Sequence, residues 1–168
     1  RNPRPLLEAV EILLRMNPEL MDKLSIIFVG EVESAFYEMI RSSSACKVFQ
    51  FIPWSPVNES IAWMKAADCL LLFGNRGRVQ IPGKIYQYLG AQKPIMMIYE
   101  SESDPTLEVI KDCSAVAVEN DCHEILSFFQ TALKENRFDN PKSYSSVRFS
   151  WPVIMKNLIE RIEDDFNS

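Results

Sequence analysis

The chain has 168 residues, with 18 Lys and Arg against 23 Asp and Glu for a net charge of -5, and 47% of it is hydrophobic. That length buries a proper core and argues for one domain, and the acidic balance argues against a general nucleic-acid binder, which would carry a basic face. No run approaches the roughly 20 apolar residues that a membrane-spanning helix needs.

Cys46, Cys69, Cys113 and Cys122 are widely spaced, and His123 is the single histidine, so the spacing offers no zinc site and reads as reduced thiols in a cytoplasmic protein. The opening at Arg1, without Met, reads as a fragment.

Leu6, Leu7, Val10, Leu13 and Leu14 mark one face of a first helix, entered through Pro3 and Pro5 and broken before Pro18. A strand is expected from Leu24 to Val29, closed by Gly30, and a helix from about Ser34 to Arg41. Gly30 suits either a close backbone approach to a ligand or an ordinary turn. Lys47 to Ile52 reads as a strand leading into Pro53-Trp54-Ser55-Pro56, a stiff loop whose tryptophan suits either a cover for a base or sugar ring or an anchor in its own domain. Val57, Ile61 and Met64 mark the next helix, ending near Ala67.

Cys69 to Phe73 and Ile95 to Tyr99 are continuous apolar runs, the pattern of parallel strands covered on both faces. Between them Ile85, Tyr86, Tyr88 and Leu89 recur at helical spacing. Lys84 then falls at the start of that helix, where a cation opposes the helix dipole by roughly 0.3–1 kcal/mol. With Arg76 and Arg78 nearby, the stretch suggests either a bound anion such as phosphate or a solvated basic loop.

Farther on, the acidic loop 100–104 leads through Pro105 into a short helix with Leu107, Val109 and Ile110, followed by a strand from Ser114 to Val118. Asp121 and Glu124 are spaced as a capping pair around an exposed His123, and Ile125, Phe128, Phe129 and Leu133 are expected to face the core. Residues 135–150 read as a surface loop, and Ile154, Leu158 and Ile162 mark a terminal helix. Alternating strands and helices predict an α/β fold, a doubly wound parallel sheet with helices on both faces.

The chain contains no G-x-S-x-G elbow, no G-x-G-x-x-G fingerprint and no P-loop, so neither acyl transfer, hydride transfer nor ATP hydrolysis has a motif behind it. The segment AADCLLLFGNRGRVQIPGKIYQYLGAQKPIMMI, however, resembles the donor-binding segment of group 1 glycosyltransferases: an A-D-x-x-L-L-L strand, a loop, then P-x-K-x-x-E-Y-L-A-x-x-K-P. RNPRPLLEAVEILL, LSIIFVG and VFQFIPWSPVNESIAWMKAADCLLL resemble preceding parts of the same family's C-terminal domain in the same order, so the likeness covers nearly the whole chain.

The resemblance implies the C-terminal, Rossmann-like half of a GT-B fold. Residues 1–150 would form the donor-binding domain, with an opening strand ahead of Arg1, and residues 151–168 a helix packing on it or reaching toward an N-terminal acceptor-binding domain. It implies transfer of a sugar from a nucleoside diphosphate to an acceptor hydroxyl with retention, by a protein that is cytoplasmic or peripheral at the inner membrane face. No cofactor or metal is expected on this domain, and its partners would be the NDP-sugar and the N-terminal domain. Lys84 would lie by the diphosphate with Arg76 or Arg78, Gly30 and Gly83 would allow backbone approach, and Ile52 and Trp54 would lie near the base. Gln87 stands where many members carry a ribose-binding glutamate, and Val79, eight positions earlier, where many carry an acidic residue near the sugar. Two other readings stay open: a non-catalytic nucleotide- or partner-binding module, and a fragment of a sugar-nucleotide epimerase.

Overall fold

The computed structural model describes residues 2–75, 77, 79–111 and 113–135, with 153, 155, 156 and 159. The expected loop 135–150 lies outside them beyond Glu135, as do Ile154, Leu158 and Ile162; Val153, Met155, Lys156 and Ile159 are helical.

Helix α1 (Arg4–Met16) forms because Pro5 is tolerated in a first turn and because Leu6, Val10, Leu13 and Leu14 recur on one stripe, each at most 5% exposed. Asn17 ends it with φ at -137°, its Nδ2 donating to the Leu13 carbonyl at 3.2 Å, and Pro18 follows. The chain then alternates: β1 (Ile26–Val29), α2 (Ser34–Arg41), β2 (Phe49–Ile52), α3 (Val57–Ala66), β3 (Leu70–Phe73), α4 (Lys84–Ala91), β4 (Ile95–Tyr99), α5 (Thr106–Ile110), β5 (Ala115–Glu119) and α6 (Cys122–Glu135).

All strand pairs among the described residues are parallel. The five strands divide between two sheets, β1-β2 and β3-β4-β5, so the α/β class and the parallel sense agree with expectation while the single continuous sheet does not form among the described residues. Strand β4 is the centre of the larger sheet. Ile95, Met96, Met97 and Ile98 are each at most 2% exposed because the strand is paired on both edges and covered on both faces. Met96 and Ile98 join Val118 beneath α1, α2 and α6, whereas Ile95 and Met97 join Leu70 and Leu72 beneath α3, α4 and α5. Full burial of such side chains stabilises by about 1.5–3 kcal/mol each.

Among the described residues, the smaller sheet is covered on one face only. Phe28 packs edge-on to Phe36 at 5.3 Å and stacks on Phe51 at 5.8 Å, while Ile27 and Val29 on the reverse face are 38% and 37% exposed. On α3, Val57 and Ile61 are 70% and 42% exposed, and Met64 is the buried residue. One expectation about a core face needs correction. On α6 the buried residues are Ile125 and Ala132 rather than Leu133, which is exposed: at about 100° per residue, position 132 returns to the side of Ile125 and position 133 lies about 80° away.

Candidate functional site

In parallel α/β sheets the loops beyond the carboxyl ends of the strands form the natural ligand edge. Strand β1 ends at Gly30, whose φ of 109° lies in the region that glycine adopts without strain. Its N–H donates to the Ile52 carbonyl at 3.0 Å, so the structure brings these two expected site residues directly together. Two residues on, Trp54 is 75% exposed, which removes its reading as an anchor in its own domain and leaves its ring available at this edge.

The loop after β3 is held by a side chain that sequence reading passed over. Asp104 is 2% exposed; its Oδ2 accepts the Asn75 N–H at 2.7 Å and its Oδ1 accepts the Thr106 N–H at 2.8 Å. One carboxylate thus ties the β3–α4 loop to the start of α5. The side chain of Asn75 donates to the Gln80 carbonyl at 2.7 Å and pinches the loop at its base. The available signal was Asp104-Pro105-Thr106, a sequence in which an aspartate commonly caps a backbone N–H two residues on. Gly77 and Val79 project from the loop, Val79 at 94% exposure; Arg76 and Arg78 lie outside the described residues.

Helix α4 begins at Lys84, preceded by Gly83 with helical φ and ψ of -58° and -23°. Its first turn is tight, with the Ile85 and Tyr86 N–H groups donating to the carbonyls of Pro82 and Gly83 at 3.1 and 3.3 Å. No acidic residue offsets the positive end of the helix dipole, and no side chain caps it. Lys84 and Gln87 are both exposed. Gly83, Lys84 and Gln87 therefore lie together after β3, and Gly30, Ile52 and Trp54 together after β1 and β2.

A cavity of about 460 Å³ lies away from both, between β5 and α6, lined among others by Tyr99, Val118, Glu119, Glu124 and Phe128. Burial, and then the carboxylates of Glu119, Glu102 and Glu124, push the Tyr99 hydroxyl pKa up. Those carboxylates make it a poor seat for an anion, so we place the candidate site at the β3–α4 loop. The four cysteines are free thiols, no cluster of metal-ligating side chains occurs among the described residues, and no helix there is long and apolar enough to cross a membrane. His123 is exposed in the first turn of α6, where Asp121 Oδ1 accepts its N–H at 2.7 Å and that of Glu124 at 3.2 Å. Comparison of the chain with models of known protein families and with curated proteins finds no match.

Proposed function

We propose that this chain is the donor-binding half of a glycosyltransferase, a doubly wound Rossmann-like domain that holds the diphosphate of a nucleotide sugar at the N-terminus of α4. The observation that carries the reading is Lys84 at the first position of a helix with no acidic residue in its first turn, directly beyond a parallel strand, in a chain of net charge -5. Backbone N–H dipoles and an ammonium group both favour an anion there, and in sugar transfer they stabilise the charge that develops on the departing diphosphate. Arg76 or Arg78 supplies a second cation. The neutral amide of Gln87 hydrogen-bonds the ribose hydroxyls with less strength than a carboxylate would. The acceptor, any general base and the retention of anomeric configuration belong to a facing N-terminal domain. The full-length protein works in the cytoplasm or at the inner membrane face.

Titration calorimetry with UDP and GDP tests the reading. Lys84→Ala is expected to weaken diphosphate binding by about tenfold or more, in line with the roughly 1.5–3 kcal/mol of a hydrogen bond to a charged group. Equal affinity in both proteins removes the assignment. A second reading, a non-catalytic nucleotide-binding module on the same fold, is favoured by Gln87 and Val79 standing at positions where an acidic side chain would serve transfer. It predicts the same binding with no sugar transfer by the full-length protein.

A further inference from the structure

We infer that the outer edge of β5, with the cleft between it and α6, is a docking groove for an extended basic segment of another protein, which adds to the sheet as one more strand. Among the described residues β5 pairs with β4 alone. The Asn120 N–H donates to the Tyr99 carbonyl at 2.7 Å and the Ser114 carbonyl accepts from the Ile95 N–H at 2.9 Å, so both residues turn these backbone groups toward β4. Backbone groups alternate sides along a paired strand, and those of Ala115, Ala117 and Glu119 therefore point outward from the sheet. The Glu119 carbonyl accepts from the Asp121 N–H at 2.7 Å, which leaves the N–H groups of all three residues and the carbonyls of the two alanines for a partner.

Sheet edges that must not pair are commonly blunted by lysine or proline, and Ala115-Val116-Ala117-Val118-Glu119 carries neither. Ala117, at the centre of the strand, is exposed. The cleft of about 460 Å³ runs along this strand, with Val116 through Glu119 on one side and Glu124, Ser127, Phe128 and Thr131, a single stripe of α6, on the other. Alternation gives the strand two chemically different faces. Val116 and Val118 turn to the core beneath α6 together with Phe128, whereas Ala115 turns to the opposite core and Glu119 lies beside Tyr99.

Charge identifies the occupant. Burial, and then the carboxylates of Glu119, Glu102 and Glu124, act on the Tyr99 hydroxyl, so three anionic groups surround one end of the cleft, and no lysine or arginine lines it. In a chain of net charge -5, a second copy would bring like charges together there, whereas lysine or arginine on an incoming strand pairs with Glu119 and Glu124. The chain's own continuation is a poorer occupant. Helix α5 carries β4 to β5 on one face and α6 lies on the other, so a right-handed crossover through α6 leads back over β4 rather than outward past β5. A segment that alternates apolar and basic residues satisfies both faces, its apolar side chains against Val116, Val118 and Phe128 and its basic ones beside Glu119. Such strand addition takes affinity from main-chain bonds and specificity from alternate side chains.

Amide hydrogen exchange of residues 1–168 with added peptide tests the groove. The Ala115, Ala117 and Glu119 amides are expected to slow by about tenfold or more as a short peptide of alternating lysine and valine is added, with Val116 and Val118 unchanged. The matching peptide of glutamate and valine is expected to leave all five as they were. Glu119→Lys combined with Glu124→Lys, both at exposed positions, should reverse that preference. Ala117→Pro removes one outward N–H at an edge, where proline is tolerated, and should weaken the lysine peptide by about fivefold or more. Equal slowing by the two peptides, or slowing by neither, overturns the inference. So do outward amides that are already slow in the chain alone, whose own residues would then cover the edge, or that slow as the chain is concentrated without peptide, a second copy then being the occupant.

Discussion

Gly74 closes β3 at a point where any side chain would collide with Asp104 Oδ2 and press on Met97 Cε. Gly74→Ala must displace the carboxylate that fixes Asn75, and a loss of about 1–3 kcal/mol is expected from that overpacking. Asp104→Ala removes the same anchor from the other side and leaves the Asn75 and Thr106 N–H groups without their acceptor, at about 1–3 kcal/mol for each one buried. Urea unfolding of both variants measures the two effects, and losses confined to Asp104→Ala would show that the glycine has room to relax.

Thiol chemistry offers a second residue-scale test. Burial pushes the Cys69 thiol up to about 11, whereas Cys46 is exposed. At pH 8 roughly one Cys69 in a thousand is thiolate, so iodoacetamide should modify Cys46 first and reach Cys69 only on unfolding. Peptide mapping after timed alkylation reads the order. Asp121 provides a pH test with a definite sign. The backbone N–H groups of Glu124 and His123 hold its carboxyl below the ordinary 3.8, so its contribution is full above that value and is lost as pH falls through the lower, folded one. Asp121→Ala should therefore lower the melting temperature at pH 7, by an amount that shrinks as pH falls below the ordinary carboxylate range.

At the scale of elements, α3 and α4 differ in how much of their apolar surface is used. Ile85 on α4 is fully buried, and Ile85→Ala is expected to cost about 2–5 kcal/mol. Val57→Ala on α3 should change stability by no more than about 0.5 kcal/mol in the 168-residue chain, since the side chain is already in water. Helix α4 also ends on Gln92 in the left-handed region at φ 56°, the one described residue other than glycine with positive φ. Gln92→Gly is expected to stabilise the protein by about 1 kcal/mol, because a left-handed helix terminus favours glycine. Chemical denaturation of the three variants ranks these effects.

Across the whole molecule, the elements that could be read in advance are those whose pattern is local. The stripe of α1, the apolar runs of β3 and β4, and the breaks at Pro18 and Gly30 are set by side chains within one or two turns of each other, so residue spacing was enough. Lys84 at the first position of α4 was legible for the same reason, because a helix start depends on its neighbours in the chain. The unused stripe of Val57 and Ile61 was not, since periodicity shows that a face is apolar but not what covers it. Asp104 was equally hidden, as its bond to Asn75 joins positions 29 residues apart. The sequence by itself determined an α/β chain of parallel strands with a cation at a helix N-terminus. Only the tertiary structure decided that, among the described residues, the strands part into two sheets and which carboxylate holds the loop, because hydrogen bonding between strands and burial of a charge depend on partners distant in the chain.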